Sequence, residues 1–282
     1  MMNEKTIHVR GIDMNVEING GENLPTIVFL HGFTGSTASW REVANLLKGK
    51  FRIVAVDLIG HGKSSIPENV DRYSMEEQVE DLEEMFAELS LDQFILVGYS
   101  MGGRVALAYT THHSTRVSSL ILESSSPGLK TKVEREERQV ADRRLADRIL
   151  TDGMPAFIDF WGNIPLFASQ KTLSEEKQLT LRNERLSQSE VGLARSLRGI
   201  GTGSQSSYWE CLGTIKLPVL LITGELDKKF VNISREMEKE FPYVRHETIE
   251  NAGHAIHVEK LNTFATMIEE HILALKNRGG SL

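Results

Sequence analysis

The chain has a single cysteine, Cys211. An internal disulfide is therefore excluded, a reducing compartment fits, and the thiol reads most simply as a small buried apolar group. No apolar run approaches the roughly 18 residues that a membrane-spanning helix needs. The opening stretch from Met1 to His8 has no apolar core of a secretory signal, so a soluble cytoplasmic protein is expected. There is no basic excess: 32 Lys and Arg stand against 39 Asp and Glu, for a net charge of −7. That balance argues against a nucleic-acid partner, which would want a basic face. Repeats and low-complexity tracts are absent, and only the tail from Lys276 to Leu282 is expected to fray.

The remainder has ordinary globular composition, 40% hydrophobic and 25% charged over 282 residues, suited to one large α/β domain with an insertion. Thr6–Arg10 and Met14–Ile18 read as a hairpin around Gly11-Ile12-Asp13. Thr26–Leu30 and Phe51–Val56 are continuous apolar strands, as in a sheet covered on both faces. Ser39–Leu47 and Met75–Leu89 read as helices between them. Phe94–Val97, a helix from Gly103, and a strand at Val117–Glu123 continue the alternation, which implies a mostly parallel sheet. From Pro127 to Leu212 the pattern breaks into helices (Val133–Leu150, Pro155–Phe160, Glu175–Ser187, Val191–Leu197). Strands resume at Pro218–Thr223 and Val244–Ile249. The expected division is a core of residues 1–126 and 213–282, with a helical cap, 127–212, inserted over the carboxyl ends of the strands. Ligands bind at that end, and a cap there excludes water.

Gly98-Tyr99-Ser100-Met101-Gly102 sits between the strand at 94–97 and the following helix. A serine on so sharp a strand-to-helix turn has its hydroxyl lifted out of the sheet, and the glycines remove Cβ atoms that would clash there. The plainer alternative is a serine that merely caps the helix. Serine alone is a weak nucleophile or base and needs a histidine oriented by a carboxylate. Where a serine sits on such a strand-to-helix turn, these partners follow in the order Ser, Asp, His. Asp227, in Gly224-Glu225-Leu226-Asp227 after a strand, is preferred over Glu225. His254, after Gly253 on the loop beyond the 244–249 strand, is the expected base. His257 is taken as structural or pocket-lining; His8, His246 and His271 as solvent or strand positions; His112 and His113 as surface. His254 and His257 have H-x-x-H spacing, but no third ligand completes a metal pattern, so no metal is expected. Backbone N–H groups of Met101 and of Phe33, in His31-Gly32-Phe33-Thr34-Gly35, are the expected oxyanion donors. Gly60-His61-Gly62-Lys63-Ser64 looks like a phosphate loop only superficially: Asp57 stands where a Walker A glycine is required, and no cofactor is expected.

These motifs resemble the α/β-hydrolase superfamily. Further features resemble one branch: Arg104, Glu123–Leu129 opening the insertion, Glu134-Arg135-x-x-Arg138-x-x-x-Asp142, Trp161 with Pro165-Leu166-Phe167, Arg185, Ser196–Gln205 and Gly224–Phe230. Over about Ile7 to Leu275 the chain resembles the 2-succinyl-6-hydroxy-2,4-cyclohexadiene-1-carboxylate synthases of menaquinone biosynthesis. The resemblance implies a lyase on a hydrolase scaffold that eliminates pyruvate from 2-succinyl-5-enolpyruvyl-6-hydroxy-3-cyclohexene-1-carboxylate. Ser100, deprotonated by His254, would remove a ring proton, and the developing oxyanion would rest on the Phe33 and Met101 N–H groups.

Such a substrate carries three carboxylates, and arginine forks bind carboxylates bidentately. Residues 130–148 hold seven Lys or Arg against five Asp or Glu. Taken singly, these arginines read as a solvated helix face with i,i+4 pairs such as Arg138–Asp142. The resemblance marks Arg138 and Arg185 as substrate contacts, with Arg135 the alternative to Arg138. Arg104 has the stronger case, because its helix begins at the site. Tyr99 and Trp161 line the pocket or belong to the core; Phe157, Phe160 and Phe167 pack the cap. A serine hydrolase, either a carboxylesterase or a carbon–carbon bond hydrolase, would use the same Ser100, Asp227 and His254. A non-catalytic receptor pocket is the remaining reading.

Overall fold

The computed structural model describes residues 2–277. Eight strands form one sheet: β1 (Asn3–Val9), β2 (Ile12–Asn19), β3 (Thr26–Leu30), β4 (Arg52–Val56), β5 (Phe94–Tyr99), β6 (Val117–Glu123), β7 (Val219–Gly224) and β8 (Val244–Ile249), in the order β1-β2-β4-β3-β5-β6-β7-β8. The β1–β2 and β2–β4 pairings are antiparallel, and the rest are parallel. Parallel neighbours need crossovers, which helices supply on both faces. Alternation along each strand divides its side chains between them. Val28 and Leu30 pack under α2 (Met75–Glu88) and α3 (Met101–His112), while Ile27 and Phe29 face α1 (Arg41–Leu47) and α9 (Leu261–Asn277). All five residues of β3 are buried, and each fully buried aliphatic there contributes roughly 1.5–3 kcal/mol.

Between β6 and β7 the chain is helical: α4 (Lys132–Trp161), α5 (Glu175–Leu186) and α6 (Glu190–Ile200). Thr131 and Glu134 form a reciprocal capping box that starts α4. The two helices expected at Val133–Leu150 and Pro155–Phe160 run on as one element, kinked at Gly153 (φ 76°, ψ 166°). Only glycine takes that conformation cheaply, and Pro155 then sits in the first turn of the second half, where no N–H is needed. Ala146, Ile149, Phe157, Leu193 and Leu197 give this insertion its own small core. Helix α7 (Lys228–Glu240) follows β7, and the short α8 (Ile256–Glu259) follows β8. Helix α9 includes Lys276, at the start of the tail expected to fray; the tail beyond Asn277 lies outside the described residues. No helix among the described residues is long and apolar enough to cross a membrane.

His271 departs from the solvent or strand position expected of it. It is 6% exposed and hydrogen-bonds through Nε2 with Ser119 Oγ at 2.8 Å. It lies on the face of α9 that packs against the sheet, a burial that the local sequence does not signal.

Candidate active site

The strand-to-helix turn after β5 holds Ser100 at φ 50°, ψ −106°, a sparsely populated region for a residue with a Cβ. The surroundings enforce it. Any Cβ at Gly98 would strike the backbone of Gly102 and Gly103, and one at Gly102 would strike the carbonyls of Leu30 and His31. The Ser100 N–H donates to the Glu123 carbonyl of β6 at 2.9 Å.

Three loops at the carboxyl ends of β5, β7 and β8 bring Ser100, Asp227 and His254 together. His254 Nε2 is 3.0 Å from Ser100 Oγ, and His254 Nδ1 is 2.6 Å from Asp227 Oδ2. A carboxylate only accepts, so Nδ1 carries the proton and the Nε2 lone pair faces the serine hydroxyl. Asp227 also caps α7, accepting from the Phe230 N–H at 3.4 Å. His254 is 1% exposed and Asp227 8%. Rings of Phe230, Tyr99 and Phe167 stand 4.7, 5.4 and 6.1 Å from the imidazole. Glu225 is elsewhere, accepting from the Asn251 N–H at 3.2 Å.

The loop after β3 is set by His31. Its Nε2 accepts from the Leu58 N–H at 3.0 Å, so Nδ1 bears the proton and donates to the Gly32 carbonyl at 2.8 Å. The Gly35 N–H donates to the same carbonyl at 3.0 Å. In a trans peptide the Phe33 N–H must then point the opposite way. Met101 is the first residue of α3, whose leading N–H groups have no acceptor within the helix. Among the described residues neither N–H meets a protein acceptor.

A cavity of about 460 Å³ opens over Ser100 and His254. Phe33, Trp161 and Phe167 give it an apolar wall, and Tyr99 lines it beside the serine. Burial, with the charge of Glu123, raises the Tyr99 phenol well above its usual pKa, so it stays neutral. Trp161 stacks edge-on to Phe33 at 5.4 Å, and its buried Nε1–H has no protein acceptor among the described residues.

The cations are unequal. Arg104 lines the cavity at 8% exposure; its Nη1 donates to the Ile200 carbonyl at 2.8 Å and to Gln205 Oε1. Burial, and then the charge of Arg138, pulls it down to about 10, which leaves it protonated at neutral pH. Arg138 also lines the cavity, while its Nε donates to Asp142 Oδ1 at 2.7 Å. Arg135 instead donates to the carbonyls of Leu129 and Lys130 and does not border the cavity. Arg185 is not brought to this cavity. It lies beyond Phe167, 4.7 Å over that ring, and donates to Gln170 Oε1 at 2.9 Å in a separate depression. The Phe167 ring stands between the two spaces, a tertiary fact invisible in the spacing of α5.

The Gly60–Ser64 segment offers no phosphate cradle: the Gly62 N–H donates to Gln188 Oε1 at 2.9 Å and the Lys63 N–H to Asp57 Oδ2 at 3.0 Å. His257 does not border the cavity. It is bound to Glu123, ring Nδ1 to Oε2 at 2.8 Å and backbone N–H to Oε1 at 3.0 Å, with Glu123 fully buried. Glu123 thus ties the His254 loop to the strand whose carbonyl holds Ser100. Sequence reasoning missed this role; the available signal was an acid ending an otherwise apolar buried strand. Among the described residues no group of three or more His, Cys, Asp and Glu is placed to hold a metal ion.

The doubly crossed parallel sheet with a serine elbow is the mark of a known class. The model of the alpha/beta hydrolase fold matches residues 25–261, and the chain belongs to that family. Within it, the chain is 45% identical over 265 residues to the putative 2-succinyl-6-hydroxy-2,4-cyclohexadiene-1-carboxylate synthase of Bacillus subtilis (strain 168), covering 94% of this chain and 96% of that one. It is 31% identical over 241 residues to the synthase of that name from Salmonella paratyphi C (strain RKS4594), covering 85% and 90%. The solved structure of MenH from S. aureus matches with a TM-score of 0.86 at 35% identity, over 93% of this chain and 98% of that one. An enol-lactonase from Burkholderia xenovorans LB400, at TM-score 0.81 and 22% identity, shares the fold.

Proposed function

We propose that this protein releases pyruvate from 2-succinyl-5-enolpyruvyl-6-hydroxy-3-cyclohexene-1-carboxylate to give 2-succinyl-6-hydroxy-2,4-cyclohexadiene-1-carboxylate. The enzyme is a lyase of menaquinone biosynthesis built on a hydrolase scaffold. Its active groups are Ser100, His254 and Asp227, and it works in the cytoplasm. The observation that carries the reading is a serine–histidine–aspartate relay at the floor of a cavity lined by Arg104, Lys130, Arg138 and Lys229 against two carboxylates, Glu134 and Glu236. A neutral ester has no use for Arg104 and Arg138; a tricarboxylate does.

His254 takes the Ser100 proton as the serine oxygen removes a ring proton beside the succinyl ketone. The ketone oxygen gains negative charge and is held by the Phe33 and Met101 N–H groups. One such donor is worth about 10²–10³ in rate. As the enolate collapses, a double bond forms between ring carbons 2 and 3, the existing double bond between 3 and 4 shifts to 4 and 5, and the bond from carbon 5 to the enolpyruvyl oxygen breaks. The proton held on His254 returns to the departing enolate, which leaves as pyruvate. Nothing is oxidised, no water is consumed, and no cofactor is needed. Asp227 stabilises the imidazolium that forms between the two transfers. Arg104, Arg138, Tyr99 and the Trp161 ring hold the substrate. Arg185 serves only if Phe167 moves aside.

The test is pyruvate release from the purified protein in a coupled assay, with Ser100→Ala and Arg104→Ala alongside and an aryl ester as control. Release lost in both variants, with slow ester cleavage, is expected. No release with brisk ester turnover would assign a serine hydrolase instead.

A further inference from the structure

Among the described residues four cations line the cavity beside two carboxylates, Glu134 and Glu236, and three of the cations have hydrogen-bond or ion-pair partners. Lys130 pairs with Glu236 at 2.5 Å, Arg138 with Asp142, and Arg104 donates to Ile200 and Gln205. The fourth is Lys229, the second residue of α7. The pull of Asp227 on it is coulombic only, with no hydrogen bond between them. Its Nζ stands 5.4 Å from the centre of the Phe230 ring, and that ring is 4.7 Å from the His254 imidazole.

This is a poor place for a lysine on stability grounds. The first turn of a helix carries partial positive charge and favours acids, yet α7 has no acid in its first turn and begins Lys228-Lys229. Lys229 is exposed overall but borders the cavity, whose walls partly desolvate it. That desolvation, and then the charge of Arg138, pulls its ammonium below its usual pKa. Arg138 depresses Arg104 in the same way. Arg138 thus opposes both Arg104 and Lys229, and the three, contributed by α3, α4 and α7, form a cationic arc on the cavity wall. Local choices that oppose stability in this way are expected where a ligand reverses the balance.

We propose that Lys229 binds a carboxylate of the substrate and completes, with Arg104 and Arg138, a three-cation arc matched to a three-carboxylate ligand. This rests on the tricarboxylate substrate argued above. An anion in the arc offsets the repulsion that Arg138 exerts on the other two by attraction of all three to a shared guest. The ammonium is a point charge without the guanidinium fork, so it tolerates a carboxylate that turns as the enolpyruvyl group departs.

The experiment compares wild type, Lys229→Gln and Lys229→Arg in pyruvate release with substrate varied, in thermal melts, and in binding of benzene-1,2,4-tricarboxylate followed by tryptophan fluorescence. Lys229→Gln is expected to raise KM about 10–100-fold, the usual weight of a charged hydrogen bond, with kcat within about threefold. Its melting temperature should rise by about 1–3 °C as the helix start loses an opposed charge. Lys229→Arg should recover most of the affinity. The proposal is overturned if KM stays within twofold, if kcat falls with KM unchanged (a role through Asp227), or if the melt falls by several degrees (a structural role). Should wild type release no pyruvate, the functional reading fails separately. The arc then stands if wild type binds the tricarboxylate and Lys229→Gln loses it, and falls if both bind alike or neither binds.

Discussion

Replacing Asp227 by asparagine isolates the electrostatic part of the relay. The amide has one acceptor: its oxygen can take the place of Oδ2, now 2.6 Å from His254 Nδ1, but its NH2 then stands where Oδ1 accepts from the Phe230 N–H at 3.4 Å, so the loop bond persists and the long cap bond of α7 is lost. What goes is the negative charge beside the imidazolium. Both side chains are buried, at 1% and 5% exposure, so water does little to screen them. Two unit charges about 4 Å apart at an effective dielectric near 20 attract by about 4 kcal/mol. That interaction exists only while His254 holds the serine proton, so it acts on the barrier and not on substrate binding. About three decades in kcat should be lost, with KM within a few-fold and the melting temperature lowered by only a few degrees through the lost cap bond. If the amide turns its nitrogen toward the ring, the tautomer inverts and the loss grows. The assay is steady-state pyruvate release, with chemical denaturation run in parallel. A fall in kcat below about tenfold, at unchanged stability, would refute the assignment of Asp227 and with it the relay as the source of the base.

The strain at Ser100 gives an opposed pair of effects: Ser100→Gly should abolish turnover and yet stabilise the fold by about 1 kcal/mol in urea titrations, because glycine adopts φ 50° freely. Burial holds His31 down to about 4 and His61, with the added charge of His31, to about 3, against their ordinary 6.5. Because the folded values are depressed, the unfolded chain takes up the protons first. Stability is therefore present above pH 6.5 and lost as pH falls toward the folded values. Between about pH 6 and 4 each contributes about 1.4 kcal/mol per pH unit. His61→Gln should remove close to half of the histidine part of that slope, measured by denaturation at stepped pH; an unchanged slope would mean that His61 is already protonated in the fold. Glu123→Ala should cost about 3–5 kcal/mol, since it strands His257 unpaired in the interior; a loss under 1 kcal/mol would show that the pair is dispensable.

Much of this was legible along the chain because the signals are short-range. A run of apolar β-branched residues, a glycine-flanked serine and the next helix are neighbours in sequence, and steric rules at a tight turn act over a few residues. The strands at 26–30, 117–123 and 244–249 run over just the residues their pattern predicts. The break into helices after β6 is plain from the change of period. Ser100, Asp227 and His254 each stand at a strand's carboxyl end, so the parallel sheet alone gathers them. What only the tertiary structure decided are pairings across the fold. Arg104 spends a donor on Ile200, 96 residues away, and Glu123 meets His257 across 134. Arg138 faces the cavity while Arg135 turns back on its own loop, and Arg185 lies behind Phe167. His271 is buried against β6. Helix rotation and side-chain packing set these outcomes. Both depend on volumes and distances contributed by remote segments, which no local pattern encodes.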